Sequence, residues 1–441
     1  MHLKSTGDHI QFMLLGIFNS VQGRPQGPCP DTTHLTLDTF HLFTMEAIVL
    51  DNGSGCLKAG FSGEDTPRTT FPACTGRVKN PEWFASQAPN WKAELRDRDM
   101  FVGTECQLYR DFLELSNPLN RGVVEDWEAL ERMWEFVFTQ EMKVDPETAA
   151  LPILCISSPA GSKKQQERMA QIMFESQKVC GFYFMQQCVL SLFASGRTRG
   201  LVVEVGHGSS HAIPIFEGYA LPHAALHYNA GGMDISQRLH LLLSKRGVSF
   251  HSFPLHTIDE IKEATCSLGS GTNQVVGQNQ SDETNKPFEL PDGTILQVDR
   301  QTQTAPAEVL FKPQELGDEH PLRPEKGLHE CAAASIAMCD KDLQSDLLNA
   351  VVLAGGTTML PGFSKRFQDE LNAVLQHTGS SSTANVIPDP VVRERGYNSQ
   401  RKIAAWVGGS MFASLDTFHD IHITKQEWEE YHEAILDRKC F

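Results

Sequence analysis

The chain has 441 residues, 40% hydrophobic and 21% charged, a composition typical of a globular protein. Its formal net charge of −17, from 38 Lys and Arg against 55 Asp and Glu, argues against a general nucleic-acid or acidic-membrane binder, because such proteins depend on clustered cations. No apolar run approaches the roughly 20 residues that span a bilayer, so no membrane insertion is expected. The length exceeds the size at which one core stops growing, which predicts two lobes with a cleft between them.

Residues 1–44 differ from the rest of the chain, because they lack sustained periodicity and contain a Gly- and Pro-bearing stretch at residues 23–30. The early apolar run at residues 12–18 is short and has a poorly basic start, which does not fit a secretory signal. Two interpretations remain open: a flexible extension, or translation that begins at Met45.

The first predicted unit is a Gly-rich turn between two short strands at residues 47–61, and the turn carries Asp51, Gly53, Ser54 and Gly55. Glycine lets backbone N–H groups approach phosphate oxygens closely, and an acidic residue at the strand end can hold the water shell of a divalent cation. A single turn of this kind is also common in ordinary hairpins, so it indicates phosphate binding only weakly.

The pattern then predicts further elements on both sides of a second Gly-rich turn. A surface insertion is expected at residues 78–114, a helix with core aromatic residues at 126–138, a strand at 153–156, a helix at 163–175 and a helix at 187–194. The second turn, residues 203–208, lies between strands and carries Glu204, Gly206, His207 and Gly208. Beyond it follow a helix at 233–246, a mobile loop at 269–289, a strand at 351–353, a third Gly-rich turn, a helix at 362–375 and a polar linker at 377–385.

The same series of elements therefore occurs twice, with Asp51 and Glu204 at equivalent places. This order predicts a duplicated α/β fold with a ligand held between the copies. Two facing Gly-rich turns could clamp one phosphate chain. The second turn has His207 where another carboxylate would be expected, and a neutral imidazole supplies neither charge nor oxygen to magnesium.

The eleven cysteines form no Cys-x-x-Cys pair, a pattern typical of a reducing compartment. Cys440 lies beside Arg438 and Lys439, and nearby cations lower a thiol pKa, so Cys440 is expected to be the most reactive thiol. An unremarkable exposed cysteine is the alternative.

The chain resembles the actin family in long and specific segments, which together extend from about Met45 to Phe441. The segments are LDNGSG from Leu50, KAGF from Lys58, QIMFE from Gln171, VLSLFASGRT from Val189, PIFEGYALPHA from Pro214, GGTTMLPGF from Gly355, WVGGS from Trp406 and RKCF from Arg438. The resemblance implies a ribonuclease-H-like, two-lobed fold with four subdomains, ATP or ADP with Mg²⁺ or Ca²⁺ in the cleft, and assembly into filaments or larger complexes.

The resemblance also implies domain limits. The first lobe, with subdomains 1 and 2, is expected at residues 45–187, and subdomain 2 at about 78–114. The second lobe, with subdomains 3 and 4, is expected at 188–399, and subdomain 4 at about 226–305. Residues 400–441 are expected to return to subdomain 1.

Site roles follow from the resemblance one position at a time. Asp51 would face the cation, while Lys58 and the amides of Gly53, Ser54 and Gly55 would contact phosphates. Gln187 would orient the attacking water and His211 would assist it. The other matching positions, in the second phosphate loop and on the nucleoside side, are Gly206, Gly208, Gly232, Lys262, Glu263, Gly356, Met359 and Lys402.

Several positions depart from the family pattern. Glu204 and His207 replace two aspartates, which leaves Asp51 and Glu204 as the expected metal ligands and predicts strongly reduced hydrolysis. Asp259 stands where the family has an arginine, and Leu360 replaces an aromatic residue at the base pocket, so nucleotide affinity is also expected to fall. Arg121 stands where conventional actin has a modified histidine.

Conventional filament contacts are expected to be impaired, because Glu315 and Asp318 place acidic groups in a stretch, residues 313–318, that is apolar in the family. The segment 79–99 is longer than usual and rich in Trp. The alternative is an equally good filament with different partners.

The main hypothesis is a structural, nucleotide-binding, actin-like protein of the cytoplasm and cytoskeleton. Its partners would be actin or actin-binding proteins, with self-assembly also open and no direct nucleic-acid contact. An active polymerising ATPase and a nuclear actin-related subunit of a chromatin complex are the alternatives. A sugar kinase fits least, because the actin-like segments have no reason to occur in one.

Overall fold

The computed structural model describes residues 47–80, 98, 100–248, 255–269, 285–317, 320, 322–380, 382–387 and 401–440. The predicted N-terminal extension, most of the segment 79–99 and Asp318 lie outside these residues. Within the described residues, no helix combines the length and the apolar character that crossing a membrane requires.

The strands are short, and most of them belong to two larger sheets. In chain order they are β1 Ile48–Asn52, β2 Cys56–Phe61, β3 Thr69–Pro72, β4 Thr75–Val78, β5 Met100–Val102, β6 Leu113–Ser116, β7 Leu119–Asn120, β8 Val123–Val124, β9 Ile153–Ser157, β10 Gly181–Gln186, β11 Gly200–Val205, β12 Ser210–Phe216, β13 Tyr219–Ala220, β14 Leu226–Tyr228, β15 Lys286–Glu289, β16 Ile295–Val298, β17 Val351–Ala354 and β18 Ile423–Thr424.

The helices lie between and around these sheets. They are α1 Thr104–Leu108, α2 Trp127–Phe136, α3 Pro146–Ala149, α4 Lys163–Gln171, α5 Gln187–Ala194, α6 Gly232–Lys245, α7 Leu255–Thr265, α8 Arg300–Thr304, α9 Leu328–Ala337, α10 Lys341–Leu348, α11 Phe363–His377, α12 Ala404–Ala413, α13 Phe418–Ile421, α14 Lys425–Tyr431 and α15 Leu436–Lys439.

The first large sheet has the strand order β18-β10-β9-β1-β2-β3. Strand β1 pairs antiparallel with β2 and parallel with β9, which in turn pairs parallel with β10. Strands β9 and β10 are almost entirely buried, as expected of parallel strands covered on both faces. Strand β18, from the segment predicted to return to subdomain 1, pairs with β10 at the edge of this sheet.

The second large sheet has the order β13-β12-β11-β17, and β14 also pairs with β12. Strand β11 pairs antiparallel with β12 and parallel with β17, and Val386 adds a parallel bridge to Val351 beyond β17. Both large sheets therefore contain an antiparallel hairpin whose first strand pairs in parallel with a later strand. In each hairpin the connecting turn is one of the two predicted Gly-rich turns.

One hydrophobic core joins the two sheets. It contains Val49 and Leu154 from the first sheet, Val202 and Val352 from the second, and the indole of Trp406 from α12. Helices α5 and α12 pack against each other within this core. A second core around Trp134 confirms the predicted packing role of the helix at 126–138.

Two predictions were wrong in part. Residues 286–289, predicted to lie in a mobile loop, form strand β15, which pairs with β16. Residues 270–284 of that predicted loop lie outside the described part of the chain.

Cys440 packs against the hydrophobic cores that contain α2 and α12. Burial raises the pKa of its thiol to about 12, and this effect outweighs the lowering by Lys439. It is therefore not the reactive thiol that its basic neighbours suggested.

Gly408 permits the close approach of α12 to α5. A methyl group at this position would lie 1.9 Å from the Leu190 carbonyl oxygen. We expect Gly408→Ala to destabilise the protein by about 1–3 kcal/mol, because the backbone contact cannot yield as a side chain can. The urea midpoint of unfolding measures this effect.

Gly409→Ala is the matched control, since the nearest atoms to its methyl group would be movable side chains, those of Val49, Ile156 and Leu154 at 3.0, 3.3 and 3.4 Å, while it gains the same helix propensity. Equal midpoints for the two variants would contradict the proposed backbone contact.

Candidate functional site

The two Gly-rich turns face each other across a short gap. A methyl group on Gly55 would lie 2.7 Å from His207 Cβ, and one on Gly208 would lie 3.4 Å from Ser54 Cβ. The structure therefore brings together the two loops that the sequence singled out. Gly55 permits this close approach, because a side chain there would collide with His207 of the other loop.

Asp51 and Lys58 form a buried ion pair at the end of the first hairpin. The two residues are cross-strand partners in β1 and β2, and Lys58 Nζ lies 2.6 Å from Asp51 Oδ2. Burial alone would lower the pKa of Lys58, but the neighbouring Asp51 carboxylate outweighs it and raises the pKa. The lysine therefore carries a fixed positive charge beside the first loop.

Glu204 occupies the equivalent position at the end of β11 and contacts Gln187 at the start of α5. Gln187 Nε2 donates to Glu204 Oε1 at 2.5 Å, whereas Glu204 Oε2 is buried without a hydrogen-bond partner among the described residues. Burial, reinforced by the charge of Asp51, raises the pKa of Glu204 to about 8. Near neutral pH this carboxyl group is therefore mostly protonated, and the amide of Gln187 is already engaged.

His207 and His211 both lie in environments that favour the neutral imidazole. Burial lowers the pKa of His207 despite the nearby Asp259 carboxylate. Burial, together with the His227 charge, lowers the pKa of His211 to about 3. His211 lies directly across from Glu204 in the hairpin, and its Nδ1 is 2.8 Å from His227 Nδ1.

Two of the predicted nucleoside-side residues, Lys262 and Gly232, are in contact. Lys262 Nζ contacts Asp259 Oδ1 at 2.6 Å and the Gly232 carbonyl oxygen at 3.2 Å. Burial would raise the pKa of Asp259, but the Lys262 ammonium outweighs it and lowers the pKa. Asp259 thus pairs with a lysine one turn away in α7. The charge reversal inferred from the sequence is compensated within the protein.

The third Gly-rich turn adjoins this group. Thr357 Oγ1 donates to the Gly206 carbonyl oxygen at 2.9 Å, and a methyl group on Gly356 would lie 3.6 Å from Lys402 Cγ. Burial raises the pKa of the Cys56 thiol in the first hairpin, whereas the charges of Lys58 and Lys402 lower it and that of Glu263 raises it. Met359 is exposed, whereas Leu360 is buried in the core of the second sheet.

Comparison with known proteins identifies the family. The sequence model of one family, described as actin, matches residues 43–441, which is most of the chain.

The chain belongs to the actin family. Its mixed helices and sheets have the actin-type fold. The match begins close to Met45, so the sequence before residue 43 lies outside the part shared with actins.

Both acids expected to bind a metal in this actin-family site are engaged with other side chains. In the described residues, no group of three or more His, Cys, Asp or Glu side chains could hold a metal ion. Of the two expected metal ligands, Asp51 is paired with Lys58, and Glu204 accepts a hydrogen bond from Gln187. Loop amides and Lys58 would hold a nucleotide, whose own phosphates and waters would supply most ligands of any Mg²⁺.

Sequence analysis missed His227 as a site residue and gave Arg121 no role. His227 contacts His211 through strand pairing between β12 and β14, a relation that only the register of the sheet reveals. Arg121 contacts the second Gly-rich loop through the Gly208 carbonyl oxygen. Its departure from the family pattern was the only signal in the sequence.

Replacing Glu204 by Gln tests the buried carboxyl group. The folded-state pKa of about 8 exceeds the ordinary glutamate value of 4.5, so the folded protein binds an extra proton between these two pH values and loses stability as the pH rises. Gln cannot ionise. Glu204→Gln should therefore gain stability over the starting protein from about pH 5 to 8, by at most ~5 kcal/mol at 1.4 kcal/mol per pKa unit.

Urea unfolding from pH 5 to 8.5 measures this difference. The exposed pair of Lys178 and Glu147 supplies the control Glu147→Gln, which should follow the starting protein at every pH. A constant difference between Glu204→Gln and the starting protein would show that Glu204 has an ordinary pKa.

Proposed function

We propose that this actin-family protein binds ATP or ADP between its two facing Gly-rich loops and serves mainly as a structural component of the cytoskeleton, with little ATP hydrolysis. The observation that carries the proposal is the hydrogen bond from Gln187 to Glu204 beside those loops. In the family, the matching glutamine orients the attacking water. Here its amide is engaged by a side chain one methylene longer than aspartate.

Loss of water positioning explains weak hydrolysis with retained binding. Correct orientation of a reactant can supply about 7–11 kcal/mol of barrier lowering, so partial loss slows turnover by orders of magnitude. Binding depends instead on loop amides and the buried charge of Lys58, which do not require Gln187. The same site can therefore hold a nucleotide without turning it over quickly.

The proposal includes the finer description of the fold. We propose two duplicated ribonuclease-H-like lobes, residues 45–187 and 188–399, with residues 400–441 returning to the first. The repeated hairpin-plus-parallel-strand pattern of the two large sheets supports the duplication. The three-stranded sheet β5-β4-β6 spans residues 75–116, close to the limits proposed for subdomain 2.

The stretch at residues 313–318, which is apolar in the family and carries filament contacts there, contributes one side chain to a charged pair here. Glu315 is about half exposed and contacts Arg238, with Nη2 and Oε2 2.5 Å apart. Glu315 therefore has a partner within the protein, and an apolar filament contact would have to displace that pair. We propose impaired conventional filaments, cytoplasmic localisation, and contacts with actin or actin-binding proteins.

An active, polymerising ATPase is the second candidate, favoured by the retained Gln187 and His211 near the facing loops. A change at two positions separates the candidates. Glu204→Asp with His207→Asp shortens the carboxylate and restores the second acid. We expect the starting protein to bind ATP with Mg²⁺ and release little phosphate, and the double variant to release phosphate at least about tenfold faster, since tenfold corresponds to only 1.4 kcal/mol.

Fluorescent-nucleotide binding and phosphate release, with conventional actin assayed in parallel, measure the two steps. Glu429→Asp with His223→Asp, at exposed positions away from the loops, is the matched control and should behave as the starting protein. Phosphate release from the starting protein at the rate of actin would refute weak hydrolysis. Failure of both proteins to bind nucleotide would refute the site itself.

A further inference from the structure

A two-residue turn between β7 and β8 places Arg121 beside the facing loops. Both turn residues are left-handed, with φ of 50° at Arg121 and 83° at Gly122. Such turns favour Asn, Asp and Gly, and the backbone of any other residue in this region is strained. The Arg121 side chain must therefore make contacts that offset the strain of its backbone.

Those contacts all go to the second lobe. Arg121 Nη1 donates to the Gly208 carbonyl oxygen at 2.7 Å and to the Asn229 carbonyl oxygen at 3.1 Å. Nη1 and Nη2 also donate to the two carboxylate oxygens of Asp234, at 3.1 and 2.7 Å. His320 Nε2 lies 2.9 Å from the same Asp234 carboxylate. Both terminal nitrogens of the guanidinium are therefore engaged by residues of the second Gly-rich loop, of the segment after β14 and of α6.

Burial makes this arrangement strong. The Asp234 side chain is 0% exposed and that of Arg121 is 13% exposed. Asp234 also accepts from the Gly231 N–H at 2.7 Å, which caps the start of α6. A bidentate, charge-assisted pair in such surroundings is both directional and costly to break.

The same turn also holds the first loop. Gly122 N–H donates to Ser54 Oγ at 2.8 Å, and a methyl group on Gly208 would lie 2.8 Å from Arg121 Cα. The turn thus touches Ser54 of the first loop with its backbone and Gly208 of the second loop with its side chain. A guanidinium suits this role, because its planar donors can reach two carbonyls and a carboxylate at once, whereas an imidazole has only two ring nitrogens.

We propose that Arg121 is a positioning residue that fixes the second Gly-rich loop against the first before any nucleotide binds. The inference deepens the proposed nucleotide site and rests on it for the identity of the ligand. A loop that is already ordered loses less conformational freedom on binding, so Arg121 should strengthen nucleotide binding without touching the nucleotide.

Amide hydrogen exchange without nucleotide tests the positioning directly. The informative amides are those of Gly206, Gly232 and Met233, whose N–H groups donate to Ser209, Gly206 and His207 carbonyls at 3.0, 2.9 and 2.7 Å. In Arg121→Met they should exchange about tenfold faster than in the starting protein, because local opening no longer breaks the guanidinium contacts. Amides of β9, in the first sheet, should change much less.

A second variant distinguishes the loss of loop positioning from the effect of leaving the buried Asp234 carboxylate without a partner. Arg121→Met alone leaves Asp234 buried without its guanidinium, whereas Arg121→Met with Asp234→Asn removes both charges. We expect fast loop exchange in both variants, and about tenfold weaker binding of a fluorescent ATP analogue. Arg121→Lys should be intermediate, since it keeps the charge but not the fork. Arg132→Met, at the exposed Arg132–Glu135 pair, is the control and should change neither measurement.

The outcomes are distinct. Faster exchange confined to the second loop, together with weaker nucleotide binding, supports the positioning role. Unchanged loop exchange, or an equal increase throughout the protein, overturns it and leaves Arg121 as an ordinary stabilising residue. Failure of the starting protein to bind nucleotide would remove the proposed function, while the exchange rates without nucleotide would still decide whether Arg121 orders the loop.

Discussion

The close packing of α12 against α5 is the constraint on which the site depends. Gly408 lets the two helix backbones meet, and the core around Trp406 joins apolar residues of both large sheets. Because β1 and β11 are anchored in this core, the turns at their ends are held near each other. The facing of the two Gly-rich loops thus follows from apolar packing several residues away, and polar contacts then refine it.

Buried charge around those loops is balanced by the protein itself. Lys58 is paired with Asp51, Lys262 with Asp259, and Arg121 with Asp234. Each pair satisfies groups that would otherwise be desolvated without a partner. A phosphate chain entering this site would therefore share cations that already have carboxylate partners, so its binding energy depends strongly on the loop amides. Ordering of those amides by Arg121 becomes correspondingly important.

The local elements could be predicted from the sequence, because hydrophobic periodicity and Gly-rich turns are local signals. The hairpins at Asp51 and Glu204 and the helix at Gln187 occur where these signals place them. Side-chain partners could not be predicted in the same way. Gln187 and Glu204 are 17 residues apart, and Arg121 and Asp234 are 113 apart, so their contacts depend on the assembled fold. The predicted reactivity of the Cys440 thiol was wrong for the same reason. Its basic neighbours are adjacent in the sequence, whereas its burial depends on the assembled fold.

The longer side chain of Glu204 changes the contacts beside the second Gly-rich loop while keeping a carboxyl group at this position. Aspartate at this position would end one methylene sooner, whereas glutamate reaches Gln187 and remains in a buried place beside Asp51. Burial, reinforced by the charge of Asp51, raises the pKa of Glu204 and so favours its protonated form, which attracts a cation weakly. The family's water-positioning glutamine is engaged by the same contact. The proposed losses of cation attraction and of water positioning would therefore have one structural cause, the contact between Gln187 and Glu204.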